Sequence, residues 1–341
     1  MLKPNFQTFL SLLYKRVYER AESIKINASI KNNLTETFNI VYDYKVSPPT
    51  FGDLMAVIML SRFLMSTGAK IKFIFIDDGF RVDWFVLSEQ NRAARLAEHL
   101  SLVNVLLGKE AEIVKIGFSD LLELISANKI RKSEVILFRR VIKRKPLYRS
   151  SWNLLNLLYN SSNKNDKSFL LSAQDLEENI SLFDPPQKFV SWHCRKSNKE
   201  SSQERNTRET EFYRVCHEMI KLFPDRNLLI ISDENGCEHY KKLAQKKGLN
   251  LFFSKDYSES FLGDGFLILK SHFHFISRGG GIDMFSLFSE NSYQAYVDCV
   301  SEKPWSNTKA HPWSNDNQAF YDINSLDVTY LPSSNLKYKK L

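Results

Sequence analysis

Two successive series of alternating strand and helix patterns constrain the fold of this 341-residue chain more than any other feature. Short runs rich in β-branched and aromatic residues, such as 71–76 (IKFIFI), alternate with longer segments whose apolar residues recur at helical spacing. Strands that alternate with helices build right-handed βαβ units and a parallel sheet. The sequence therefore predicts an α/β fold with two Rossmann-like, doubly wound domains.

The predicted elements fall into two groups along the chain. The predicted strands are 37–44, 71–76, 113–116 and 135–138 in the first series, and 189–194, 228–232, 251–253, 274–277 and 295–298 in the second. The predicted helices are 4–30, 53–66, 90–107 and 120–127 in the first series, and 209–222, 237–247, 258–270 and 282–288 in the second.

Chain length and a polar segment near its middle predict two domains. A chain of this length exceeds what one hydrophobic core usually organises. The run 160–168 (NSSNKNDKS) suits a surface loop, and a proline pair then opens the second series. We expect an N-terminal amphipathic helix over 1–33, one domain over 34–184 and another over 185–341, with the two domains facing a cleft.

Charge and cysteine content narrow the kinds of partner. The formal charge of +8 would attract nucleic acid, an anionic membrane or an anionic small molecule. No zinc-finger, RNP or basic-zipper pattern accompanies the basic residues, so nucleic acid is not an expected partner. The four cysteines lack the spacing of a zinc motif or a disulfide framework. The pair Asp77-Asp78 could bind Mg²⁺ but is interpreted as a solvated turn, so we expect no metal and no cofactor.

The start of the chain predicts a cytoplasmic protein. Residues 1–9 lack the basic-then-apolar order of a signal peptide, and no apolar run reaches about 18 residues. The amphipathic helix over 4–30 is interpreted as packing against the body of the protein. In the alternative interpretation, its basic face makes peripheral contact with an anionic membrane, at the inner face.

Basic residues follow the strand 189–194. Arg195 and Lys196 come directly after it, and Arg205-Asn206 closes the polar loop that leads to the next helix. The carboxyl ends of parallel strands face the ligand crevice, and a guanidinium can bind two phosphate oxygens at once. We therefore predict that these residues bind a diphosphate.

A glycine-rich turn follows the strand 274–277. It reads Ser277-Arg278-Gly279-Gly280-Gly281 and precedes a predicted helix. Glycines let the backbone approach a ligand closely, and a helix N-terminus offers free N–H groups to phosphate. The turn is thus a second candidate for the diphosphate site, with a plain flexible turn as the alternative. It matches neither the G-x-G-x-x-G fingerprint nor a Walker loop, so the nucleotide stays open.

Polar residues also end the strand 228–232. Ser232 and Asp233 lie where carboxylates commonly accept hydrogen bonds from a ribose or sugar hydroxyl, although Asp233 could equally cap the following helix.

The candidate general base lies in the first series. Gly52-Asp53 is placed where a turn meets a helix, so Asp53 either caps that helix or removes a proton from a hydroxyl, with Phe51 and Gly52 beside the acceptor. His193 competes for the role of base, because it shares a strand face with Arg195. It is interpreted instead as a packed core histidine.

Taken together, these motifs resemble those of fucosyltransferase-like GT-B glycosyltransferases of bacterial cell-surface polysaccharide biosynthesis. The resemblance is carried by the H-x-R strand end at 193–195, the downstream Arg-Asn, the Ser-Asp strand end and the glycine-rich turn, within 188–298. It implies that Arg195 holds a nucleotide diphosphate. The turn at Gly52-Asp53 is similar to that of heptosyltransferase-like GT-B enzymes, in which such an aspartate is implied as base. Lys196-Ser197 departs from the fucosyltransferase pattern, which leaves the donor sugar open.

The sequence thus predicts a hexosyl- or deoxyhexosyltransferase that needs no metal for catalysis. It would move a sugar from a nucleoside diphosphate sugar to a glycan or glycolipid hydroxyl, with 34–184 as acceptor domain and 185–341 as donor domain. Two alternatives stay open. One is a non-hydrolysing nucleotide-sugar epimerase, and the other is a non-catalytic GT-B-like protein that binds a sugar polymer or a partner enzyme.

Overall fold

The fold is that of a computed structural model, in which the chain divides into two compact units, Met1–Leu170 and Leu171–Leu341. The structure describes residues 6–32, 37–45, 47, 50–78, 89–127, 129, 135–137, 141–142, 145–146, 150–162, 166–180, 183–196, 206–277, 281–290, 293–298, 318–322, 327–330 and 337–340. Each unit has its own sheet, parallel throughout in the first unit and parallel over six strands in the second, which confirms the predicted α/β class with two Rossmann-like sheets. The boundary after Leu170 precedes the predicted domain limit at 184.

The first unit contains a four-stranded parallel sheet with the order β3-β2-β1-β4. Its helices are α1 (Phe6–Lys31), α2 (Phe51–Ser66), α3 (Glu89–Leu107), α4 (Phe118–Ser126) and α5 (Ser150–Ser161). Its strands are β1 (Thr37–Asp43), β2 (Lys70–Ile76), β3 (Ala111–Ile116), β4 (Val135–Leu137) and the short antiparallel pair β5 (Val141–Ile142) and β6 (Lys145–Pro146). The order 3-2-1-4 is that of a doubly wound sheet.

The predicted elements of the first series agree with these bounds to within a few residues, but one helix was missed. Helix α5 has no counterpart in the prediction, and its last residues extend into the predicted loop 160–168. Leu154, Leu155 and Leu158 of α5 are buried. The prediction was therefore wrong at residues 160 and 161, because a polar C-terminal turn of a helix has the composition of a loop.

Helix α1 packs against α5 in the first unit. The Asn27 side chain donates to the Ser161 hydroxyl over 2.5 Å, and Ile26 is buried. Val17 and Ile24 are 62% and 64% exposed on the same helix. Within the described residues, no helix combines the length and apolarity needed to cross a bilayer.

The side chain of Arg62, on the largely apolar helix α2, donates to three backbone carbonyls. Nε donates to the carbonyl oxygen of Phe169 over 2.8 Å, and the two terminal nitrogens donate to those of Leu106 over 2.8 Å and Leu170 over 3.1 Å. One guanidinium can do this because its donors point in fixed, diverging directions. Arg62 thus ties α2 to the end of α3 and to the last two residues of the first unit.

The second unit contains an eight-stranded sheet with the order β14-β13-β12-β11-β10-β7-β8-β9. Its strands are β7 (Phe189–His193), β8 (Asn227–Ile231), β9 (Phe252–Phe253), β10 (Phe273–Ser277), β11 (Tyr293–Asp298), β12 (Gln318–Asp322), β13 (Asp327–Tyr330) and β14 (Lys337–Lys340). Its helices are α6 (Gln174–Glu177), α7 (Glu209–Leu222), α8 (Glu234–Lys246), α9 (Phe261–Lys270) and α10 (Asp283–Leu287). Strands β7 to β12 run parallel, and β13 and β14 add antiparallel pairs.

Counted along the chain, the six parallel strands have the spatial order 3-2-1-4-5-6. The order reverses at β7, which pairs with β8 on one side and with β10 on the other. Connections leave the carboxyl ends of these strands in opposite directions, which opens a crevice there. This switch point lies between His193, the last residue of β7, and Ser277, the last residue of β10.

A stack of aromatic rings joins the central strand to two helices of the second unit. Trp192 of β7 stacks on Phe212 of α7 with ring centroids 5.9 Å apart, and Phe212 stacks on Tyr240 of α8 at 4.9 Å. All three rings are completely buried. The stack therefore fixes α7 and α8 against the strand that ends at the switch point.

We predict that Arg62→Met lowers the free energy of unfolding by about 2 to 4 kcal/mol, because three buried carbonyl acceptors lose a charged donor. Urea unfolding followed by circular dichroism measures the loss. Arg95→Met is the control, since it removes another half-buried guanidinium of the first unit and should cost less than about 1 kcal/mol. Equal losses in the two variants would contradict the claim that the three hydrogen bonds of Arg62 stabilise the first unit.

Candidate functional site

A cavity of about 940 Å³ lies at the carboxyl ends of β7, β8 and β9 in the second unit. The predicted site residues Arg195, Lys196, Ser232, Asp233 and Gly281 all line it. The sheet order places the cavity at the switch point, where doubly wound sheets bind their ligands.

The backbone of Arg195 is held by a buried hydrogen-bond network. Its N–H donates to the Thr207 hydroxyl over 3.1 Å, and its carbonyl accepts from the Thr207 N–H over 2.9 Å. The Tyr240 hydroxyl donates to the carbonyls of both Arg195 and Thr207, over 2.8 and 3.1 Å. Burial raises the pKa of Tyr240, so the hydroxyl keeps the proton that it donates. The aromatic stack thereby fixes both ends of the loop that runs from Arg195 to Asn206 and Thr207.

Four predicted residues lie outside the described part of the chain, namely Arg205, Arg278, Gly279 and Gly280. The described residue next to Arg205 is Asn206, which directly precedes Thr207. The three residues of the turn lie between the described residues Ser277 and Gly281. The phosphate roles of this loop and of the turn stay predictions.

The helix after the glycine turn is shorter than predicted. Helix α10 spans only Asp283–Leu287, and its first residue is an aspartate. A helix of five residues has a small dipole, and a carboxylate at its start opposes an anion. The predicted contribution of this helix N-terminus to phosphate binding is therefore not supported, and side chains must supply the charge.

Ser232 and Asp233, after β8, combine a structural contact with a place in the cavity. The Ser232 hydroxyl donates to the Cys194 carbonyl over 2.7 Å, and Asp233 caps α8 by accepting from the Gly236 N–H over 2.8 Å. A Cβ at Gly236 would lie 1.9 Å from the Ser232 hydroxyl oxygen, so glycine is required there. The cap interaction that the sequence left open for Asp233 is thus formed, and Glu234 follows it at the rim of the cavity.

Lys255 and Asp264 form an ion pair in the cavity wall that the sequence analysis missed. The Lys255 Nζ lies 2.6 Å from Asp264 Oδ2, and Asp264 is only 6% exposed. Burial raises the pKa of Asp264 to about 6 in spite of the opposing charge of Lys255. The available sequence signal was Ser260, which caps α9 and so places Asp264 in its first turn.

His193 lines the cavity and contacts a buried carboxylate. Its Nδ1 donates to Asp283 Oδ1 over 2.8 Å, and Asp283 is 2% exposed. His274 Nε2 lies 3.6 Å from the same oxygen, and His274 Nδ1 is 2.7 Å from the Ser191 hydroxyl. His193 is thus buried, as the core interpretation requires, but it also reaches the ligand cavity.

Asp53 occupies the first turn of α2 in the first unit, but it is not the helix cap. The cap is Thr50, whose hydroxyl accepts from the Asp53 N–H over 3.3 Å and donates to Asp53 Oδ2 over 2.5 Å. The capping alternative for Asp53 is corrected accordingly: Thr50 precedes the helix and has the extended backbone of a cap residue. Asp53 lies just beyond the carboxyl end of β1.

The predicted acceptor-side residues Phe51 and Gly52 begin α2. The Phe51 ring lies 5.1 Å from that of His99 and 4.5 Å below the Arg95 guanidinium. Burial, aided by the charge of Arg95, lowers the pKa of His99 to about 3. The Nδ1 of the neutral His99 shares a hydrogen bond with the Tyr44 hydroxyl over 2.8 Å, which makes this edge of the sheet aromatic and firmly packed.

Asp77 and Asp78, at the end of β2, are engaged by protein groups. Asp77 lies 2.6 Å from the Lys115 ammonium, and Asp78 accepts from the Phe118 N–H at the start of α4 over 2.9 Å. Among the described residues, no cluster of side chains has the make-up of a metal site.

No family model and no curated protein matches the sequence. Among solved structures, the chain is similar to the E. coli heptosyltransferase WaaC with ADP, at 13% identity over 85% of this chain and 95% of that chain, with a TM-score of 0.44. It is similar to a glycosyl transferase of family 9 from Veillonella parvula DSM 2008, at 10% identity, coverages of 76% and 80%, and a TM-score of 0.42. It is also similar to E. coli ADP-heptose LPS heptosyltransferase II, at 10% identity, coverages of 84% and 89%, and a TM-score of 0.41.

Identities of 10% to 13% and TM-scores of 0.41 to 0.44 do not place the chain in the family of any of these structures. Likeness at this level assigns neither donor nor acceptor to the chain. The fucosyltransferase-like donor domain therefore stays a prediction, and the function is inferred from the residues of the cavity.

We predict that the stability of the protein falls between pH 4 and pH 6 through Asp264. An acid whose pKa rises from 3.8 to about 6 on folding binds its proton more tightly in the folded state. Its contribution is therefore greatest at low pH and is lost as the pH rises through 6, by up to about 3 kcal/mol. Urea unfolding of the wild type and Asp264→Asn across this range measures the difference, and parallel pH profiles would contradict the prediction.

Proposed function

We propose that the protein is a glycosyltransferase that uses a nucleoside diphosphate sugar as donor. The observation that carries the proposal is one cavity, at the switch point of a 3-2-1-4-5-6 sheet, that joins Arg195 and Lys196 to Ser232 and Asp233. The cations Arg195 and Lys196 follow β7, and the carboxylate of Asp233, a candidate for binding a hydroxyl, follows β8. A nucleoside diphosphate needs both kinds of group, in that arrangement.

The diphosphate of the donor would bind beside β7. Arg195 can bind two of its oxygens at once, whereas Lys196 acts as a point charge. Arg205, Asn206 and the turn from Ser277 to Gly281 would complete this side of the site. The ribose or the donor sugar would then extend towards the end of β8, where Asp233 and Glu234 offer carboxylate oxygens.

Transfer of the sugar requires that the leaving diphosphate be stabilised as negative charge grows on it. Arg195 and Lys196 can supply that charge without a metal, in a cavity whose walls include the buried side chains Ile231 and Ile282. Fixed charges in such a site need no reorganisation during the reaction. The role of the donor site is therefore positioning and electrostatic stabilisation.

The acceptor would be a glycan or glycolipid hydroxyl, bound on the side of the first unit. Asp53 would take its proton, with Phe51 and Gly52 beside the acceptor. Two features support this choice: Asp53 lies at the carboxyl end of the doubly wound sheet, and Thr50 holds its carboxylate in one position. A general base must be oriented before it is useful. The sugar would be a hexose or deoxyhexose.

We predict that Arg195→Ala weakens the binding of the preferred nucleoside diphosphate about 10- to 100-fold and abolishes transfer, because a charge-assisted contact is lost. The fold should stay intact, since Thr207 and Tyr240 hold only the backbone of Arg195. Thermal shift with GDP, UDP, CDP and ADP measures binding and identifies the base. Arg226→Ala is the control, because Arg226 directly precedes β8 and so lies at the amino ends of the parallel strands, away from the cavity at their carboxyl ends. Full activity of Arg195→Ala would overturn the proposal.

We predict that Asp53→Asn lowers the rate of transfer about 10²- to 10⁴-fold and leaves nucleotide binding unchanged, because the amide cannot take a proton. Asp120→Asn is a matched control. Asp120 holds the same position in α4 and accepts from the Gly117 N–H over 2.9 Å. Equal transfer rates for wild type and Asp53→Asn would remove Asp53 from the mechanism but leave the donor site in place.

A further inference from the structure

We infer that His193 binds the donor diphosphate through its Nε2 and that Asp283 positions it for this contact. The inference rests on the proposed function, since it assigns a further phosphate-binding residue and its positioning residue to the same cavity. The H-x-R strand end includes His193, but the sequence gave it no phosphate role, and Asp283 belongs to none of the motifs that predicted the site.

The geometry leaves one ring nitrogen of His193 for the ligand. Nδ1 is committed to Asp283 Oδ1 at 2.8 Å, and the ring forms part of the cavity wall. Nε2 takes part in none of the hydrogen bonds found among the described residues. Because a carboxylate can only accept, Asp283 fixes a proton on Nδ1 and sets the plane of the ring.

The surroundings of Asp283 keep it ionised in this role. Burial alone would raise its pKa, but its contacts with His193 and His274 outweigh that effect and hold the pKa below the usual value. Burial lowers the pKa of His274, so His274 is a neutral neighbour, and the Ser191 hydroxyl fixes its Nδ1. A buried carboxylate maintained in this way is costly unless it serves a partner, and that partner is His193.

His193 ends β7, two residues before Arg195, so the two side chains reach the same end of the cavity. The other charged groups that line it are Lys196, the Lys255–Asp264 pair and the carboxylates of Asp233, Glu234 and Glu259. Lys196 is a cation beside Arg195, and the charges of Lys255 and Asp264 offset each other. A diphosphate bound next to Arg195 therefore lies in the cavity that His193 also lines.

In the reaction, the bond between the sugar C1 and a diphosphate oxygen breaks, and its electron pair goes to that oxygen. The acceptor oxygen forms the new bond to C1, and its proton goes to the base. With a proton on each ring nitrogen, His193 can donate Nδ1–H to Asp283 and Nε2–H to a phosphate oxygen. His193 thereby stabilises the leaving group without itself losing the proton.

Two substitutions of His193 separate its nitrogens. In His193→Asn the side-chain amide replaces Nδ1 and keeps the contact with Asp283, but nothing remains at Nε2. In His193→Gln the amide reaches the position of Nε2. With inorganic pyrophosphate as the probe, we expect His193→Asn to bind about tenfold or more weakly than the wild type and His193→Gln to recover part of the loss. His217→Asn is the control, because His217 is exposed on α7, where its Nδ1 lies 2.7 Å from the Tyr213 carbonyl oxygen of the same helix.

Nuclear magnetic resonance of the full chain with ¹⁵N-labelled histidine tests the positioning role of Asp283. Pyrophosphate should move both nitrogens of His193 to the shifts of an imidazolium. In Asp283→Asn the resonances should show the other tautomer before ligand is added, and the pyrophosphate affinity should fall about tenfold although His193 is present. If that variant fails to fold, the Asn and Gln variants of His193 still decide the question.

The inference is overturned if His193→Asn binds pyrophosphate like the wild type, or if pyrophosphate leaves the His193 resonances unchanged. It is also overturned if Asp283→Asn alters neither the tautomer nor the affinity. Failure of the proposed function has a different signature: pyrophosphate binds through His193, but no nucleoside diphosphate binds more tightly than pyrophosphate does.

Discussion

The pairing of β7 with β8 on one side and β10 on the other is the constraint on which the second unit depends. It makes β7 the central strand at which the sheet order reverses, and the reversal opens the crevice. Residues that follow β7 reach the crevice without any special loop. His193 and Arg195 owe their place in the cavity to this register, and Trp192 anchors the same strand to two helices through the aromatic stack.

Most of the fold was predictable because it depends on local patterns. Alternating apolar runs gave the strands, helical spacing gave the helices, and the class followed from their succession. The spatial order of the strands was not predictable in this way, since it depends on pairing between distant segments. Helix α5 and strands β12 to β14 were missed, because their short or polar segments lack the periodicity of the central elements.

The site was predictable only where its residues directly follow a strand. Arg195 and Asp233 were found by that rule, and both line the cavity. Lys255, Asp264 and Asp283 were missed, because each acquires its importance from a partner or a cavity that only the folded chain brings to it. An aspartate at the start of a helix, just before it or in its first turn, looks alike in the sequence whether it caps the helix, pairs with a lysine or orients a histidine.

The three hydrogen bonds of the Arg62 side chain have a consequence for the order in which the chain folds during its synthesis. Two of its three carbonyl partners, in Phe169 and Leu170, lie more than a hundred residues further along the chain. They are also the last residues of the first unit. The guanidinium can therefore make all three contacts only after the last residues of its own unit have been synthesised. Once these residues have emerged, the first unit can fold before synthesis of the second is complete. The contacts of Arg62 therefore form only when synthesis of the first unit is complete.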